Sequence, residues 1–141
     1  MDRKASAAWQ GGLRDGKGTL TTESKVLSAT PYSFSTRFEG TPGTNPEELL
    51  AAAHAGCFSM ALSMMLGEAG IVPARIDTNA TVTLEKLETG FTITRVHLGV
   101  GVRAPGADRA KFDAAAAKAK AGCPLSKVLK AEITMDARLE A

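Results

Sequence analysis

Between Asn45 and Gly70 the chain reads "NPEELLAAAHAGCFSMALSMMLGEAG". Asn45 suits a helix N-cap, Pro46 the first helical position, and Glu48, three residues after the cap, the acceptor of a capping box. Helical periodicity then continues to about Glu68, and Gly70 with Pro73 beyond it marks the stop. A helix over 46–69 that is apolar nearly all round is expected to be buried on most sides, so the rest of the chain has to be arranged around it. His54, Ser59 and Ser63 interrupt the apolar run, which makes it a poor membrane span and a good core helix.

The 141 residues predict one domain, 1–141, large enough to bury a core without help from disulfides or metals. A net charge of +2, with Lys and Arg scattered along the chain, excludes an electrostatic footprint for nucleic acid or an anionic membrane. Aromatics at 5% leave little for a base-stacking platform. The opening "MDRKASAAWQGG" shows no apolar signal-peptide core, so the expected compartment is the cytoplasm. There a permanent structural disulfide is disfavoured, whereas a transient catalytic one is not.

Around the helix, "KASAAWQ" and "GKGTLTTES" read as two strands joined by the Gly-rich turn "GGLRDG". "PYSFSTRFE" reads as a third, with Tyr32, Phe34 and Thr36 on one face. "ARIDTNATVTLEKLETGFTITRVHLGVGV" reads as a hairpin. Its second strand starts an alternation at Phe91 and Ile93 and continues in the opposite phase at Val96, Leu98, Val100 and Val102, so a bulge is expected near Thr94 and Arg95. "GADRAKFDAAAAKAKAG" predicts a helix capped by Asp108, "CPLSKVLK" a short further helix, and "AEITMDARLE" a closing strand. The order βββ-α-ββ-α-α-β, strands in runs separated by helices, predicts an α+β fold.

The chain has two cysteines, Cys57 within the apolar helix and Cys123 before Pro124. Three readings stand open on the residues alone. Cys57 can be a small buried hydrophobe. His54 and Cys57, at i and i+3, can join Cys123 as metal ligands, but a structural zinc site wants four ligands, and His97, the other histidine, falls in a strand. The pair can also be a redox couple. Pro124 puts Cys123 at a helix N-terminus, where backbone N–H groups and the helix dipole stabilise a thiolate. Cys57, in mid-helix, gets no such help and needs a cation, for which Arg37 and Arg14 are the candidates; each alone reads more readily as a solvated surface arginine.

"TRFEG", "GTNPEELLAAAHAGCFSMALS", "LGEAG" and "KAGCPLSKVLKAEITMDARL" together resemble the OsmC branch of the OsmC/Ohr family of thiol-dependent peroxidases, over nearly the whole chain. The resemblance implies antiparallel sheets packed around a long buried central helix in an intertwined homodimer with active sites at the interface. It implies that Cys57 is the peroxidatic cysteine, Cys123 the resolving one, Glu47 the glutamate at the helix N-terminus and Arg37 the activating arginine, with Arg14 the outside candidate. The implied chemistry is reduction of organic hydroperoxides, and of hydrogen peroxide, through a Cys57 sulfenic acid and a Cys57–Cys123 disulfide reopened by a dithiol, of the kind a lipoyl protein carries. No metal or organic cofactor is implied.

One geometric point favours a dimer independently. Ten residues of helix between Glu47 and Cys57 amount to about 15 Å of rise, too far for one arginine to serve both with ease. An antiparallel helix from a second copy would bring its Glu47 close to Cys57, at two equivalent sites about a two-fold axis. The rival reading is a non-enzymatic module that binds an apolar ligand or acts as a structural dimer.

Overall fold

The computed structural model describes residues 1–140 and resolves into two compact units, one covering Met1–Leu49 and the other beginning at Leu50. In the first, β1 (Ala5–Gln10), β2 (Lys17–Thr22) and β3 (Thr30–Tyr32) form an antiparallel sheet in that order. Gly18 of β2 lies opposite Trp9 and Tyr32 on either side, and a Cβ there would stand 2.4 Å from the Tyr32 ring and 2.6 Å from the Trp9 ring. Only a glycine lets the two aromatics close over the strand, 5.5 Å apart.

The third strand departs from expectation. β3 ends at Tyr32, and Phe34–Phe38 forms a short helix, α1. The cause is local. Ser33 accepts from the Thr36 N–H, and the Thr36 hydroxyl accepts from the Ser33 N–H, a reciprocal cap that outcompetes the alternating pattern. Phe34 and Phe38 then meet at i and i+4, 4.9 Å apart. Arg37 therefore sits on a helical turn and not at the end of a strand.

The long helix α2 runs Pro46–Glu68. Asn45 caps it through Oδ1 and the Glu48 N–H at 2.8 Å, while the Glu48 carboxylate turns to the Thr44 hydroxyl instead of completing the box. At the other end Gly70 takes a positive φ of 78°, and the Ile71 N–H returns to the Leu66 carbonyl, a glycine-terminated stop. By length and composition α2 could cross a membrane, but its His54, Phe58, Leu62 and Leu66 stripe is built into the protein core.

In the second unit β4 (Arg75–Leu87) pairs antiparallel with β5 (Gly90–Arg103), and the register slips between Thr83 and Leu84, which leaves Thr94 as the extra residue of a bulge. Beyond the bulge, Val96, Leu98, Val100 and Val102 all face inward and are buried. β6 (Glu132–Glu140) joins the other side of β5 in parallel, so the expectation of purely antiparallel sheets is corrected. The reason is the connection: α3 (Arg109–Gly122) and α4 (Pro124–Val128) carry the chain back along the sheet, as a parallel crossover requires. Asp108 caps α3 by accepting from the Lys111 N–H at 2.8 Å.

Phe58, Leu62 and Leu66 of α2, the β5 valines and Leu98, and Phe112, Ala115, Ala116 and Ala119 of α3 form one core that also contains Cys123. Within one chain α2 buries this one stripe, not most of its circumference. Met60 and Met64, on the other side, are 78% and 56% exposed.

Candidate functional site

The first unit supplies an arginine–glutamate pair. Arg37 Nη2 donates to Glu47 Oε1 at 2.7 Å, and its Nε donates to Oε1 and Oε2 at 3.1 and 3.2 Å. The fork of the guanidinium thus grips the carboxylate with two nitrogens, which fixes the plane of the side chain in a way a lysine could not. The carboxylate belongs to the first turn of α2, and α1 delivers the arginine, so the serine cap at Ser33 and the asparagine cap at Asn45 set the geometry of the pair. Asn45 Nδ2 further donates to the Thr36 carbonyl and ties the two caps together. The Arg37 side chain remains 35% exposed and that of Glu47 13%. The guanidinium carbon also lies 5.1 Å from the centre of the Phe38 ring.

Beside this pair is a largely aromatic cavity of about 280 Å³ lined by Trp9, Leu13, Tyr32, Phe34, Arg37 and Phe38. Sequence reasoning named Arg37 and missed its surroundings. The signal was present in the spacing of Trp9, Tyr32, Phe34 and Phe38, but the strand reading put Phe34 on the wrong kind of element. Arg14, the outside candidate, stacks over Phe34, 4.7 Å from the ring centre.

The second unit supplies the cysteines. Cys57 from α2 and Cys123, the residue that ends α3 and starts α4, are both free thiols with their sulfurs 3.1 Å apart. Cys57 is half-buried and Cys123 fully buried. Burial raises the Cys57 thiol above its ordinary range and the neighbouring Cys123 adds to that, while the Leu125 N–H offsets only part of it. Burial also acts upward on Cys123, but there it is outweighed by the Ser126 N–H, the Cys57 thiol, the Leu125 N–H and the Ser126 hydroxyl, and the net shift is down. In the sulfur–sulfur contact the Cys123 thiol donates to Cys57 Sγ. Cys123 is the N-cap residue of α4 and Pro124 its first residue, with no side-chain cap hydrogen bond from the sulfur.

His54, one turn before Cys57 on α2, is fully buried, and its Nε2 lies 2.9 Å from Ser126 Oγ. Desolvation holds its imidazole below the ordinary value of 6.5. Sequence reasoning treated His54 as a candidate metal ligand and passed over Ser126; its position three residues after Cys123 in "CPLS" was the available signal. Among the described residues, no three His, Cys, Asp or Glu side chains are gathered where they could hold a metal ion.

An α+β chain that brings two free cysteines into contact at the start of a short helix, one half-buried and one in the core, is a dithiol protein. The chain belongs to the OsmC-like family: residues 38–138 match the family described as OsmC-like protein. It is 58% identical over 140 residues to the Peroxiredoxin OsmC of Escherichia coli (strain K12), covering 99% of this chain and 98% of that one. Among solved structures, the organic hydroperoxide resistance protein OhrB of Bacillus subtilis superposes with a TM-score of 0.70 at 27% identity, over 96% of this chain and 98% of that one. An OsmC-like protein of unknown function from Vibrio cholerae superposes with a TM-score of 0.77 at 17% identity, over 98% and 99%, and speaks to the fold alone.

Proposed function

We propose that this chain is a cysteine-based peroxidase that reduces organic hydroperoxides to alcohols, and hydrogen peroxide to water, at the expense of a dithiol. The observation that carries the reading is the 3.1 Å approach of a half-buried Cys57 to a fully buried Cys123. A peroxide can reach the first sulfur, and the second waits within reach of the oxidised product. The names of the relatives, a peroxiredoxin and an organic hydroperoxide resistance protein, support the same chemistry.

Cys57 attacks the distal oxygen of ROOH. The O–O bond breaks, ROH leaves with a proton, and Cys57 becomes a sulfenic acid. The proton that Cys57 gives up ends on the departing oxygen, so the leaving group is ROH. Cys123 then attacks the sulfenic sulfur, water leaves, and a Cys57–Cys123 disulfide forms. An external dithiol reopens it by exchange. Aromatic and aliphatic walls beside Arg37 suit an organic peroxide, with the guanidinium for its polar end.

Within its own unit Cys57 is left as a raised thiol, and a nucleophile at neutral pH needs a cation. Arg37, held by Glu47, is that cation, and the ten residues of α2 between Glu47 and Cys57 place the need on a second copy. The functional molecule is accordingly a two-fold homodimer of single-domain chains, with the exposed Met60 and Met64 face of α2 turned inward. Cys57–Cys123 chemistry of this kind belongs in a reducing compartment, the cytoplasm.

The test is peroxide consumption coupled to dithiothreitol. Cys57→Ser is expected to abolish turnover. Cys123→Ser is expected to consume about one equivalent and then stall as sulfenic or over-oxidised acid. Turnover retained in Cys57→Ser, with the first equivalent lost in Cys123→Ser, would reverse the roles. A wild type inert toward both cumene hydroperoxide and hydrogen peroxide would favour the binding-module alternative.

A further inference from the structure

Among the described residues, two side-chain hydrogen bonds join α2 to the turn that holds Cys123 and α4. In one the Cys123 thiol donates to Cys57 Sγ at 3.1 Å; the other spans 2.9 Å between His54 Nε2 and Ser126 Oγ. Their partners share a spacing. His54 precedes Cys57 by three residues on α2, and Ser126 follows Cys123 by three residues into α4. Three residues are nearly one helical turn, about 4.5 Å of rise. The two bonds are therefore neighbouring rungs between segments that run in opposite directions. His54 is the one polar side chain fully buried among the described residues, and Ser126 is its ring's one hydrogen-bond partner, since Nδ1 has none. Burying an imidazole is costly unless it is paired, so this rung is not an incidental surface contact. α4 has little else to fix it. It is five residues long, none of them is fully buried, and Cys123 gives it no side-chain cap; Leu125 and Leu129 pack partly buried against the core.

We propose that His54 and Ser126 are positioning residues for disulfide formation: their hydrogen bond fastens α4 to α2 one turn from the sulfurs and keeps Cys123 within reach of Cys57 after Cys57 has taken up an oxygen. The sulfur–sulfur hydrogen bond belongs to the reduced pair. When a hydroperoxide converts Cys57 to a sulfenic acid, the sulfur that accepted from Cys123 acquires a hydroxyl, and that rung is disturbed. The His54–Ser126 rung includes neither reacting atom and persists through the change.

This positioning role deepens the proposed peroxidase cycle and rests on it. From the sulfenic acid two reactions compete. In one, Cys123 Sγ attacks Cys57 Sγ. The sulfur–sulfur bond forms, the Cys57 S–O bond breaks, and the hydroxyl leaves as water with the Cys123 proton. In the other, a second hydroperoxide gives an oxygen to Cys57, which becomes a sulfinic acid, and departs as ROH; that chain is lost to the cycle. The first reaction is intramolecular, and its rate follows how closely the attacking sulfur is held. The second follows the peroxide concentration. A looser α4 therefore shifts the partition toward sulfinic acid with Cys57 itself unaltered.

The test measures that partition by intact mass. Reduced protein receives graded cumene hydroperoxide without reductant, and the disulfide form, two hydrogens lighter, is counted against the sulfinic form, two oxygens heavier. Both products come from the same sulfenic acid, so their ratio is blind to a slower first attack or a smaller active fraction. Ser126→Ala is expected to lower the peroxide concentration that gives equal amounts of the two by about fivefold, the size set by one hydrogen bond. His54→Leu combined with Ser126→Ala removes both polar partners and leaves no buried nitrogen unpaired. It is expected to melt close to wild type and still show the shift, a combination that a merely structural bond would not give. His54→Gln, whose amide both donates and accepts, is expected to recover most of the wild-type ratio. Should Ser126→Ala alone fail to fold, the double variant and His54→Gln carry the test. A wild-type ratio in Ser126→Ala or in the double variant overturns the proposal, and so does a His54→Gln ratio no better than theirs; each of these leaves the peroxidase reading standing. A wild type that gives neither product overturns that reading, and the proposal with it.

Discussion

Oxidation of the cysteine pair should stabilise the protein by a large and measurable amount. Cys57 and Cys123 are 66 residues apart in sequence, so a bond between them closes a long loop. The chain-entropy relation for a loop of that length gives a stabilisation of about 4 kcal/mol near room temperature. The sulfurs already stand 3.1 Å apart, and about 1 Å of approach makes the bond, so little native geometry has to be disturbed. For a chain of this size the gain corresponds to a rise of roughly 10 °C in melting temperature. The assay is a pair of melts, one after a single equivalent of hydroperoxide and one under dithiothreitol, at one protein concentration because a dimer's stability depends on it. Mass spectrometry under non-reducing conditions should find the oxidised chain two hydrogens lighter and still single. Cys123→Ser should show no gain. Oxidised and reduced melts that coincide, or a bond that links two chains, would refute the reasoning from the 3.1 Å contact.

Four further outcomes follow from particular residues. Arg37→Ala should raise the apparent pKa of Cys57 alkylation in a Cys123→Ser background, and Arg37→Lys should restore only part of the effect, having the charge without the fork; a profile that moves for Arg14→Ala and stays for Arg37→Ala would hand the role to Arg14. Phe58→Ala, at a fully buried position, should cost about 3–5 kcal/mol in urea denaturation, and a loss near zero would show that the α2 stripe is not core. Because burial holds His54 below 6.5, the neutral ring's contribution to stability is present above that pH and is lost as the pH falls below it; His54→Gln should flatten this acid limb, measured by denaturation between pH 7 and pH 4. Sedimentation should find a dimer that Met60→Asp or Met64→Asp weakens, and a stable, active wild-type monomer would remove the dimer from the mechanism.

Legibility from sequence varied with the range of the forces involved. The start of α2 was readable because Asn45, Pro46 and Glu48 act within one turn, and its end because Gly70 supplies a conformation that other residues resist. The bulge at Thr94 was readable because a strand with one buried face cannot change phase without inserting a residue. Tyr32 to Phe38 was misread because two local codes overlap there. The alternation of aromatic and hydroxyl residues looks like a strand, yet Ser33 and Thr36 close a reciprocal cap that commits the backbone to a helical turn. Nothing within those residues ranks one code above the other. The parallel pairing of β6 was also beyond local reading, since strand direction depends on how two intervening helices return the chain across a sheet.

The sequence by itself determined the positions where chemistry could occur: two cysteines, one buried in an apolar helix and one ahead of a proline, an arginine and a glutamate on either side of a capping loop, and motifs long enough to resemble one family. It could not determine which of these groups meet. Tertiary structure alone decided that two sulfurs 66 residues apart in sequence stand 3.1 Å from each other, that Arg37 grips Glu47 of its own chain, and that His54 finds Ser126. Burial acts upward on both thiols, yet Cys57 stays raised while hydrogen bonding from Ser126, Cys57 and Leu125 shifts Cys123 down. Hydrogen bonds to a charged atom work over a few ångströms in space, and separation along the chain carries no record of that distance.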